Sequence, residues 1–316
     1  MQGVILAAGK GSRLHPITLN RSKAMLPILG RPVVEHVMED IAANGVEDFI
    51  VVVSPNDRDI ITYFREESPL KCMIRFVYQP KRLGMADALS CAVPLIEEDF
   101  IVSACDNLTS AEHVAELMAC YKEEGINGAM SLMEIPWEEI GRTGIVELED
   151  GWVKRVIEKP SREEAPTNIA TLPLYIFNPV MLDYLPEVKL SPRGEYELQD
   201  AIQMLIDRKG GVRGVFTKRR LTLTGPEDLL AINRHYLING HGRPQMAPYA
   251  VGPNTHLITP LRIEGGTVIG ENCTIGPNVY IERDCNIGSG VKIKDAVVLR
   301  GSTIEDEMTI EDQVVW

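Results

Sequence analysis

Aliphatic side chains recur every six residues at the C-terminal end of the chain. The positions in phase are Val251, Leu257, Ile263, Ile269, Ile275, Ile281, Ile287, Ile293 and Leu299, after which the pattern slips by one residue and continues at Ile304 and Ile310. A period of six fits neither a helix stripe nor an alternating strand. It is typical of hexapeptide repeats, in which three hexads form one coil and the aliphatic side chains stack inside. We therefore expect a short left-handed parallel β-helix of about four coils.

The N-terminal part of the chain has a different pattern. Residues 4–8 are a short apolar run without polar alternation, which predicts a central, parallel strand. Apolar strand patterns then alternate with segments of helical spacing as far as residue 237. This alternation predicts an α/β fold: a Rossmann-like, mostly parallel mixed sheet with helices on both faces. Ligands of such folds bind beyond the carboxyl ends of the strands, and a glycine-rich loop directly follows the first strand.

The change of period divides the chain into two expected domains. They are an α/β domain over residues 1–238 and the repeats over 251–316, with a glycine- and proline-rich linker over 239–250. Some hexapeptide proteins are acyltransferases, and His241 and His256 could suggest that activity here. Acyltransferase activity normally needs longer coils and a protruding loop, however. We therefore expect the repeats to dock or to form a homo-oligomer rather than to catalyse a reaction.

Composition argues against several classes of partner. A net charge of −13 over 316 residues does not suit a nucleic-acid backbone. No apolar run is long enough to span a membrane, and no secretory signal precedes the first strand. The six cysteines form no CxxC pair, so we expect reduced thiols rather than a zinc site. Together these observations predict a cytoplasmic protein without nucleic-acid or membrane partners.

The glycine-rich loop, GKGSRL at residues 9–14, has the composition of a phosphate-binding loop. Glycines let backbone N–H groups approach phosphate oxygens, and arginine and lysine supply positive charge. It is not a P-loop, because Gly11 rather than a hydroxyl residue follows the lysine. It is not a dinucleotide fingerprint either, because Leu14 stands at the third glycine. Arg13 and, ten residues later, Lys23 are the candidate cations for a bound phosphate.

Residues 7–14 (AAGKGSRL) and 22–27 (SKAMLP) together resemble the signature of the sugar-1-phosphate nucleotidyltransferases. The resemblance covers residues 1–237 and is closest to the glucose-1-phosphate thymidylyltransferases and uridylyltransferases, some of which carry a C-terminal β-helix. It implies transfer of a nucleotidyl group from dTTP or UTP to a hexose 1-phosphate, with glucose 1-phosphate as the expected acceptor, and release of pyrophosphate. It also implies Mg²⁺ as cofactor and direct attack by the sugar phosphate, without a protein nucleophile.

The resemblance assigns the nucleotide to two segments. The triphosphate-binding residues that it implies are Ala8, Gly9, Gly11, Ser12 and Arg13. Of these, Arg13 would bind the leaving pyrophosphate, while Lys23 would neutralise charge at the α-phosphate. In the segment QPKRLGMADAL at residues 79–89, Gln79 would pair with the edge of uracil or thymine through one donor and one acceptor. Gly84 would let the backbone approach the base.

The resemblance assigns the metal and the sugar phosphate to later segments. Asp106, which follows an apolar strand, would ligate Mg²⁺. Gly144 would contact the sugar through its backbone, and Glu158 would accept hydrogen bonds from sugar hydroxyls. Lys159 and Arg193 would hold the phosphate of the sugar. The expected catalytic residues are Arg13, Lys23 and Asp106.

Two departures from the family pattern leave other hypotheses open. Thr222 stands where a second metal-binding Asp is usual, and Pro173 removes a backbone donor where a glycine is usual. One alternative is therefore a non-catalytic scaffold or regulator on the same fold. Five retained charges oppose it, namely Arg13, Lys23, Asp106, Glu158 and Lys159. Another alternative is a UTP-dependent N-acetylglucosamine-1-phosphate uridylyltransferase, for which Gln79 would serve equally.

Overall fold

The structure is a computed structural model and describes residues 1–239 and 249–316. Contacts divide the chain into two compact units, each made of separate segments. The first unit contains Met1–Lys10, Ser22–Ala24 and Val34–Arg220, and the second contains Gly11–Arg21, Met25–Val33 and Leu221–Trp316. His241 and most of the expected linker lie outside the described residues, and the expected domain boundaries stay a prediction.

Strands and helices alternate through the described residues before the repeats. The strands are β1 (Gln2–Leu6), β2 (Pro27–Ile28), β3 (Arg31–Pro32), β4 (Asp48–Val53), β5 (Met73–Tyr78), β6 (Phe100–Ala104), β7 (Asn107–Leu108), β8 (Gly128–Glu134), β9 (Gly144–Glu149), β10 (Trp152–Glu158), β11 (Ile169–Phe177), β12 (Val212–Phe216) and β13 (Leu221–Thr222). The α-helices are α1 (Val33–Ala42), α2 (Arg58–Glu66), α3 (Met85–Ala92), α4 (Ala111–Tyr121), α5 (Leu198–Arg208) and α6 (Pro226–Ile238). Within both described ranges, no helix combines the length and the apolar composition that a membrane span requires.

Strand β1 is the central strand that its apolar sequence predicts. All five of its residues are buried, and it pairs in parallel with β4 on one side and β6 on the other. The sheet has nine strands in the order β5-β4-β1-β6-β11-β8-β12-β10-β9. Leu89 of α3 and Ile202 of α5 belong to the same apolar core as Val4 and Val52 of the sheet. The predicted mixed α/β fold with parallel strands and helices is confirmed.

The prediction of a mostly parallel sheet holds for only four of the eight neighbouring strand pairs in the sheet order, one of which is β8 with β12. Strands β5, β4, β1 and β6 run in parallel. By contrast, β11 is antiparallel to both β6 and β8, and β10 is antiparallel to both β9 and β12. One cause lies at Asp150 and Gly151, which both have positive φ and connect β9 directly to β10. An Asp-Gly pair in this conformation makes a tight hairpin turn, which forces antiparallel pairing.

The C-terminal repeats form three separate parallel sheets. Their strands are β14 (Ala250–Val251), β15 (His256–Leu257), β16 (Leu261–Ile263), β17 (Val268–Ile269), β18 (Thr274–Ile275), β19 (Val279–Ile281), β20 (Asn286–Ile287), β21 (Lys292–Lys294), β22 (Ala296–Val298), β23 (Thr303–Ile304), β24 (Thr309–Glu311) and β25 (Val314–Val315). The sheets have the orders β14-β17-β20-β23, β15-β18-β21-β24 and β16-β19-β22-β25. Each strand therefore pairs with the strand three hexads away, and aliphatic residues from all three sheets share one core.

The phase slip in the repeats lies earlier than the sequence pattern predicts. Ile281 pairs with Val298 and not with Leu299, so the repeat is already one residue short at this point. The cause is a shorter turn before β22. Two residues, 294–295, separate Ile293 from Ala296, whereas three residues, 276–278, separate the paired positions Ile275 and Val279. Three aliphatic residues in succession, Val297, Val298 and Leu299, follow the slip, and for this reason the sequence alone does not locate it.

Replacing a stacked aliphatic residue should destabilise the repeats. Ile275 is fully buried in the shared core, so Ile275→Ala removes buried methyl groups and leaves a cavity. We expect the free energy of unfolding to fall by about 2–5 kcal/mol, measured by denaturant unfolding. Val268→Ala is the matched control, because half of this side chain is exposed, and it should cost less than about 0.5 kcal/mol. Equal effects of the two substitutions would contradict the stacked core.

Candidate active site

Lys23 and Asp106 form an ion pair beyond the carboxyl end of the interior strand β6. Asp106 closely follows β6, and the register places Leu6 opposite Ala104, so β1 and β6 end level with each other. Lys23 belongs to the short 3₁₀ turn Lys23–Met25. Both side chains are mostly buried, with 17% of Lys23 and 13% of Asp106 exposed. The structure thus brings together two of the three expected catalytic residues.

The glycine loop has a defined local conformation. Gly11 has a φ of 63°, a left-handed conformation that glycine adopts without strain. Its carbonyl accepts a hydrogen bond from the hydroxyl of Thr18 at 2.8 Å. A 3₁₀ turn over Ser12–Leu14 follows. The side chain of Arg13 is exposed, as are Gly9 and Ser12, whereas Ala8 is buried at the end of the strand.

Arg82 is a site residue that the sequence pattern does not single out. Its Nε donates a hydrogen bond to the carbonyl of Ala8 at 2.6 Å, where the glycine loop begins. Asp57 lies 3.5 Å from its guanidinium group. Burial raises the pKa of the Asp57 carboxyl, and the charge of Arg82 acts in the opposite direction. The only signal in the sequence is the place of Arg82 between Gln79 and Gly84.

Gln79 is buried, with 3% of its surface exposed. Its Nε2 donates hydrogen bonds to the carbonyl of Gly84 at 3.1 Å and to Oδ2 of Asp87 at 2.7 Å. Because a side-chain amide has two N–H donors, both are used within the protein. Gln79 was expected to pair with a base through one donor and one acceptor. In this conformation only its acceptor oxygen is left for a base.

Gly84 allows two backbone segments of the first unit to pack closely. It has a φ of 106°, and an added Cβ would lie 2.5 Å from the carbonyl oxygen of Tyr196. The N–H of Tyr196 donates to the carbonyl of Leu83 at 2.7 Å, and the N–H of Ala86 donates to the carbonyl of Tyr196 at 3.1 Å. The fold itself therefore requires this glycine, and its expected approach to a base stays a prediction.

The expected sugar-phosphate residues lie together in one cluster. Oε1 of Glu158 lies 3.2 Å from Nζ of Lys159 and 3.4 Å from Nη2 of Arg193. Gly144 pairs with Glu158 between β9 and β10. An added Cβ on Gly144 would lie 2.6 Å from Cγ2 of Thr171 and 3.1 Å from Oε2 of Glu158. The cluster therefore presents one carboxylate and two cations at a point where a larger residue than glycine would clash.

Glu197, a second residue that the sequence pattern does not single out, holds Arg193 in this cluster. Nη2 of Arg193 lies 2.6 Å from Oε1 of Glu197, which also accepts a hydrogen bond from the hydroxyl of Ser191 at 2.8 Å. Burial raises the pKa of Glu158, while the charges of Lys159 and Arg193 act in the opposite direction. Each carboxylate thus has a cation beside it, which offsets the cost of burying its charge.

Pro173 is accommodated by an irregularity in β11. The register between β11 and β8 shifts between Thr171 and Tyr175, on either side of the proline. A proline is tolerated at such a bulge because no ladder hydrogen bond is lost. The hydroxyls of Thr171 and Tyr175 are joined by a hydrogen bond of 3.0 Å across it. The departure from the family pattern is therefore local to this bulge.

The oxygen atoms of Asp106 and its neighbour Asn107 suit a metal ion that takes its remaining ligands from the substrates. In the described residues there is no cluster of three or more His, Cys, Asp or Glu side chains that suits a metal ion. Asn107, however, has a buried amide whose nitrogen and oxygen both lack a hydrogen bond. Mg²⁺ typically takes one or two carboxylates from a protein and its other oxygens from phosphates and water. In the sequence, Thr222 stands where the family pattern has a second carboxylate.

Known families match both parts of the chain. Residues 2–220 match the nucleotidyl transferase family, and residues 257–316 match the GMPPB C-terminal domain. The low-salt glycan biosynthesis nucleotidyltransferase of Haloferax volcanii is 30% identical over 340 residues, covering 100% of this chain and 92% of its own length. A glucose-1-phosphate thymidylyltransferase of Streptomyces griseus is 27% identical over 332 residues, with coverage of 100% and 92%.

A solved structure agrees with these matches. A UDP-glucose pyrophosphorylase complexed with UDP-glucose has a TM-score of 0.69 and 26% identity over 75% of this chain and 98% of its own. The chain therefore belongs to the nucleotidyl transferase family, in its sugar-1-phosphate nucleotidyltransferase group, whose members make NDP-sugars from sugar 1-phosphates. The family and the class of enzyme predicted from the sequence are confirmed.

The hydrogen bond between Gln79 and Asp87 gives a test of the local geometry. Gln79→Glu replaces the donor by a second carboxylate oxygen beside Asp87, so a buried hydrogen bond becomes a like-charge contact. We expect the free energy of unfolding to fall by about 1–3 kcal/mol, measured by denaturant unfolding. The double substitution Gln79→Glu with Asp87→Asn reverses the direction of the bond and should recover most of this loss. A double variant no more stable than the single one would contradict the contact.

Proposed function

We propose that the protein transfers the nucleotidyl group of UTP or dTTP to glucose 1-phosphate, giving an NDP-glucose and pyrophosphate. The observation that carries this proposal is the pairing of Lys23 with Asp106 beyond the level ends of β1 and β6. Support for the sugar comes from the related structure that holds UDP-glucose. Support for dTTP comes from the relative named as a glucose-1-phosphate thymidylyltransferase.

The nucleotide side of the proposed site uses the glycine loop and the segment around Gln79. The triphosphate-binding residues are Ala8, Gly9, Gly11, Ser12 and Arg13. Arg13 binds the β- and γ-phosphates, which become the leaving pyrophosphate. Arg82 holds the carbonyl of Ala8 and so fixes the start of the loop. The oxygen of Gln79 accepts the N3–H of the pyrimidine beside Gly84, since the amide hydrogens of Gln79 are already used.

The sugar side of the proposed site uses the cluster around Glu158. Its carboxylate accepts hydrogen bonds from sugar hydroxyls, and the backbone of Gly144 lies against the sugar. Lys159 and Arg193 bind the phosphate of the sugar. Both cations are already held close to Glu158, so little conformational freedom is lost when the phosphate binds.

The reaction in this proposal is a single in-line displacement. A phosphate oxygen of the sugar 1-phosphate forms a bond to the α-phosphorus of the triphosphate. The bond from that phosphorus to the bridging oxygen breaks, and the electron pair leaves with pyrophosphate. The chain contributes by orienting both substrates and by neutralising charge that develops in the transition state. Lys23 acts at the α-phosphate, and Arg13 acts at the leaving group.

Asp106 is the proposed ligand of Mg²⁺, with the amide oxygen of Asn107 as an adjacent donor. When bound, the ion supplies positive charge that polarises the phosphates and neutralises their oxygens. Asp106 also positions the ammonium group of Lys23, with which it is paired. The same carboxylate thus orients a cation of the chain and provides an oxygen to the metal.

The repeats form, in our proposal, a left-handed parallel β-helix that assembles the protein into a homo-oligomer. The first coil exposes large aliphatic side chains, which are Val251, Leu257 and Ile258. Exposed aliphatic groups at the open end of stacked parallel strands favour contact with a second chain. The expected domain boundaries at residues 239–250 belong to the same proposal.

A substrate panel tests the proposed function. UTP, dTTP, GTP and ATP are each incubated with glucose 1-phosphate and with N-acetylglucosamine 1-phosphate in the presence of Mg²⁺, and pyrophosphate release is measured. We expect the highest kcat/KM with a pyrimidine triphosphate and glucose 1-phosphate. Preference for N-acetylglucosamine 1-phosphate would replace the proposed acceptor. Absence of turnover with every pair, together with normal nucleotide binding, would favour a scaffold or regulator.

Lys23→Ala should reduce kcat by about a hundredfold or more while changing the KM values little. The reason is that the charge at the α-phosphate increases in the transition state, so the loss falls mainly on that state. Initial rates of pyrophosphate release measure the effect, and the unfolding temperature shows whether the variant is folded. Lys122→Ala, which changes an exposed lysine at the end of α4, is the matched control. A folded Lys23→Ala variant with near-normal kcat would contradict the assignment.

A further inference from the structure

Arg21 and Glu282 form a buried ion pair between residues 261 positions apart in the sequence. Nη1 of Arg21 donates to one carboxylate oxygen of Glu282 at 3.0 Å, and Nη2 donates to the other at 2.8 Å. Only 9% of the Arg21 side chain and 10% of the Glu282 side chain are exposed. Such a two-pronged geometry fixes the plane of the guanidinium group as well as its distance.

Glu282 is itself held rigidly in the repeats. It directly follows β19, and its carboxylate also accepts a hydrogen bond from the backbone N–H of Arg300 at 2.8 Å. Its carbonyl accepts a hydrogen bond from the hydroxyl of Thr267 at 3.2 Å. The contact therefore ties Arg21 to the hydrogen-bonded framework of neighbouring repeats rather than to a mobile surface side chain.

A second contact of the same unit holds the chain on the other side of Lys23. The side chain of Asn233 in α6 accepts the backbone N–H of Leu29 at 3.0 Å and donates to the carbonyl of Pro27 at 3.1 Å. Asn233 is buried. The segment that contains Lys23 is thus bracketed in sequence by two anchored stretches, Gly11–Arg21 and Met25–Val33, which both belong to the unit of the repeats.

We propose that Arg21 and Glu282 are positioning residues for nucleotidyl transfer: the repeats hold the segment that follows the glycine loop, and through it Arg13, in the productive arrangement. This proposal rests on the proposed function. Arg13 and Arg21 lie in one stretch of the unit of the repeats, Gly11–Arg21, in which the hydroxyl of Thr18 donates to the carbonyl of Gly11, so a displacement of Arg21 passes to Arg13. A misplacement of about 1 Å in a catalytic group can cost about a hundredfold in rate.

The role assigned to the repeats in this proposal goes beyond docking and assembly. Residues of the sugar cluster, Glu158, Lys159 and Arg193, lie in the first unit and far from Arg21 in the sequence. Loosening the Arg21 contact should therefore affect the nucleotide and the chemical step, while leaving the sugar phosphate bound as before. A general loss of folded protein would instead lower kcat without changing either KM.

Glu282→Gln in the full-length protein is the test, because it keeps the shape of the side chain and removes its charge. We expect a kcat about tenfold to a hundredfold lower, a higher KM for the triphosphate and an unchanged KM for glucose 1-phosphate. Glu311→Gln is the matched control, since Glu311 forms an exposed ion pair with Lys294 in the same repeats. It should leave all three constants unchanged. Glu282→Gln constants equal to those of Glu311→Gln, or a fall in kcat with both KM values unchanged, would overturn the proposal.

Two further measurements keep the test decisive. Hydrogen exchange of peptides within residues 11–21 should become faster in Glu282→Gln and not in Glu311→Gln, and this readout does not depend on the substrate chosen. Unchanged exchange would overturn the positioning role even if the proposed function holds. An inactive wild-type protein with the expected exchange difference would count against the proposed function alone. If Glu282→Gln does not fold, Arg21→Lys replaces it. This variant should raise the KM for the triphosphate by a smaller factor and leave the KM for glucose 1-phosphate unchanged, and equal changes in both KM values would overturn the proposal.

Discussion

The burial of β1 between two parallel neighbours limits where the candidate site can place charge. Every residue of β1 is buried, and β4 and β6 occupy both of its edges. An ionised group within this strand would lack both water and a partner, which is costly. The charged groups of the candidate site next to this strand therefore lie beyond its carboxyl end, where Asp106 follows β6 and the glycine loop follows β1. The candidate site is a consequence of this constraint.

Pairing of opposite charges is the second organising feature. In a chain with a net charge of −13, three of the cations expected to meet phosphates are already held by carboxylates: Lys23 by Asp106, Lys159 by Glu158, and Arg193 by Glu158 and Glu197. These carboxylates orient the cations before a substrate arrives, which reduces the entropy lost on binding. The same principle extends to the repeats, where Glu282 holds Arg21.

Local patterns in the sequence predicted the family, the central strand and the cluster around Glu158, because each depends on residues in short, recognisable segments. The structure adds features that depend on long-range contacts. The positions of Arg82 and Glu282 depend on partners distant in sequence, which no local period reveals. The antiparallel strand pairs of the sheet were missed although Asp150-Gly151 is a hairpin signal. The donors of Gln79 were expected to face a base, yet they are used inside the fold.

Direct transfer between two oriented substrates differs from transfer through a covalent intermediate in the stereochemistry at phosphorus. The measurement uses a pyrimidine triphosphate with sulfur at one defined position on the α-phosphorus, together with glucose 1-phosphate. The configuration of the NDP-glucose product is then read by phosphorus NMR. A single in-line displacement predicts inversion of configuration. Retention would require two successive displacements through a covalent intermediate on the protein, and it would contradict an active site that works by orientation and charge alone.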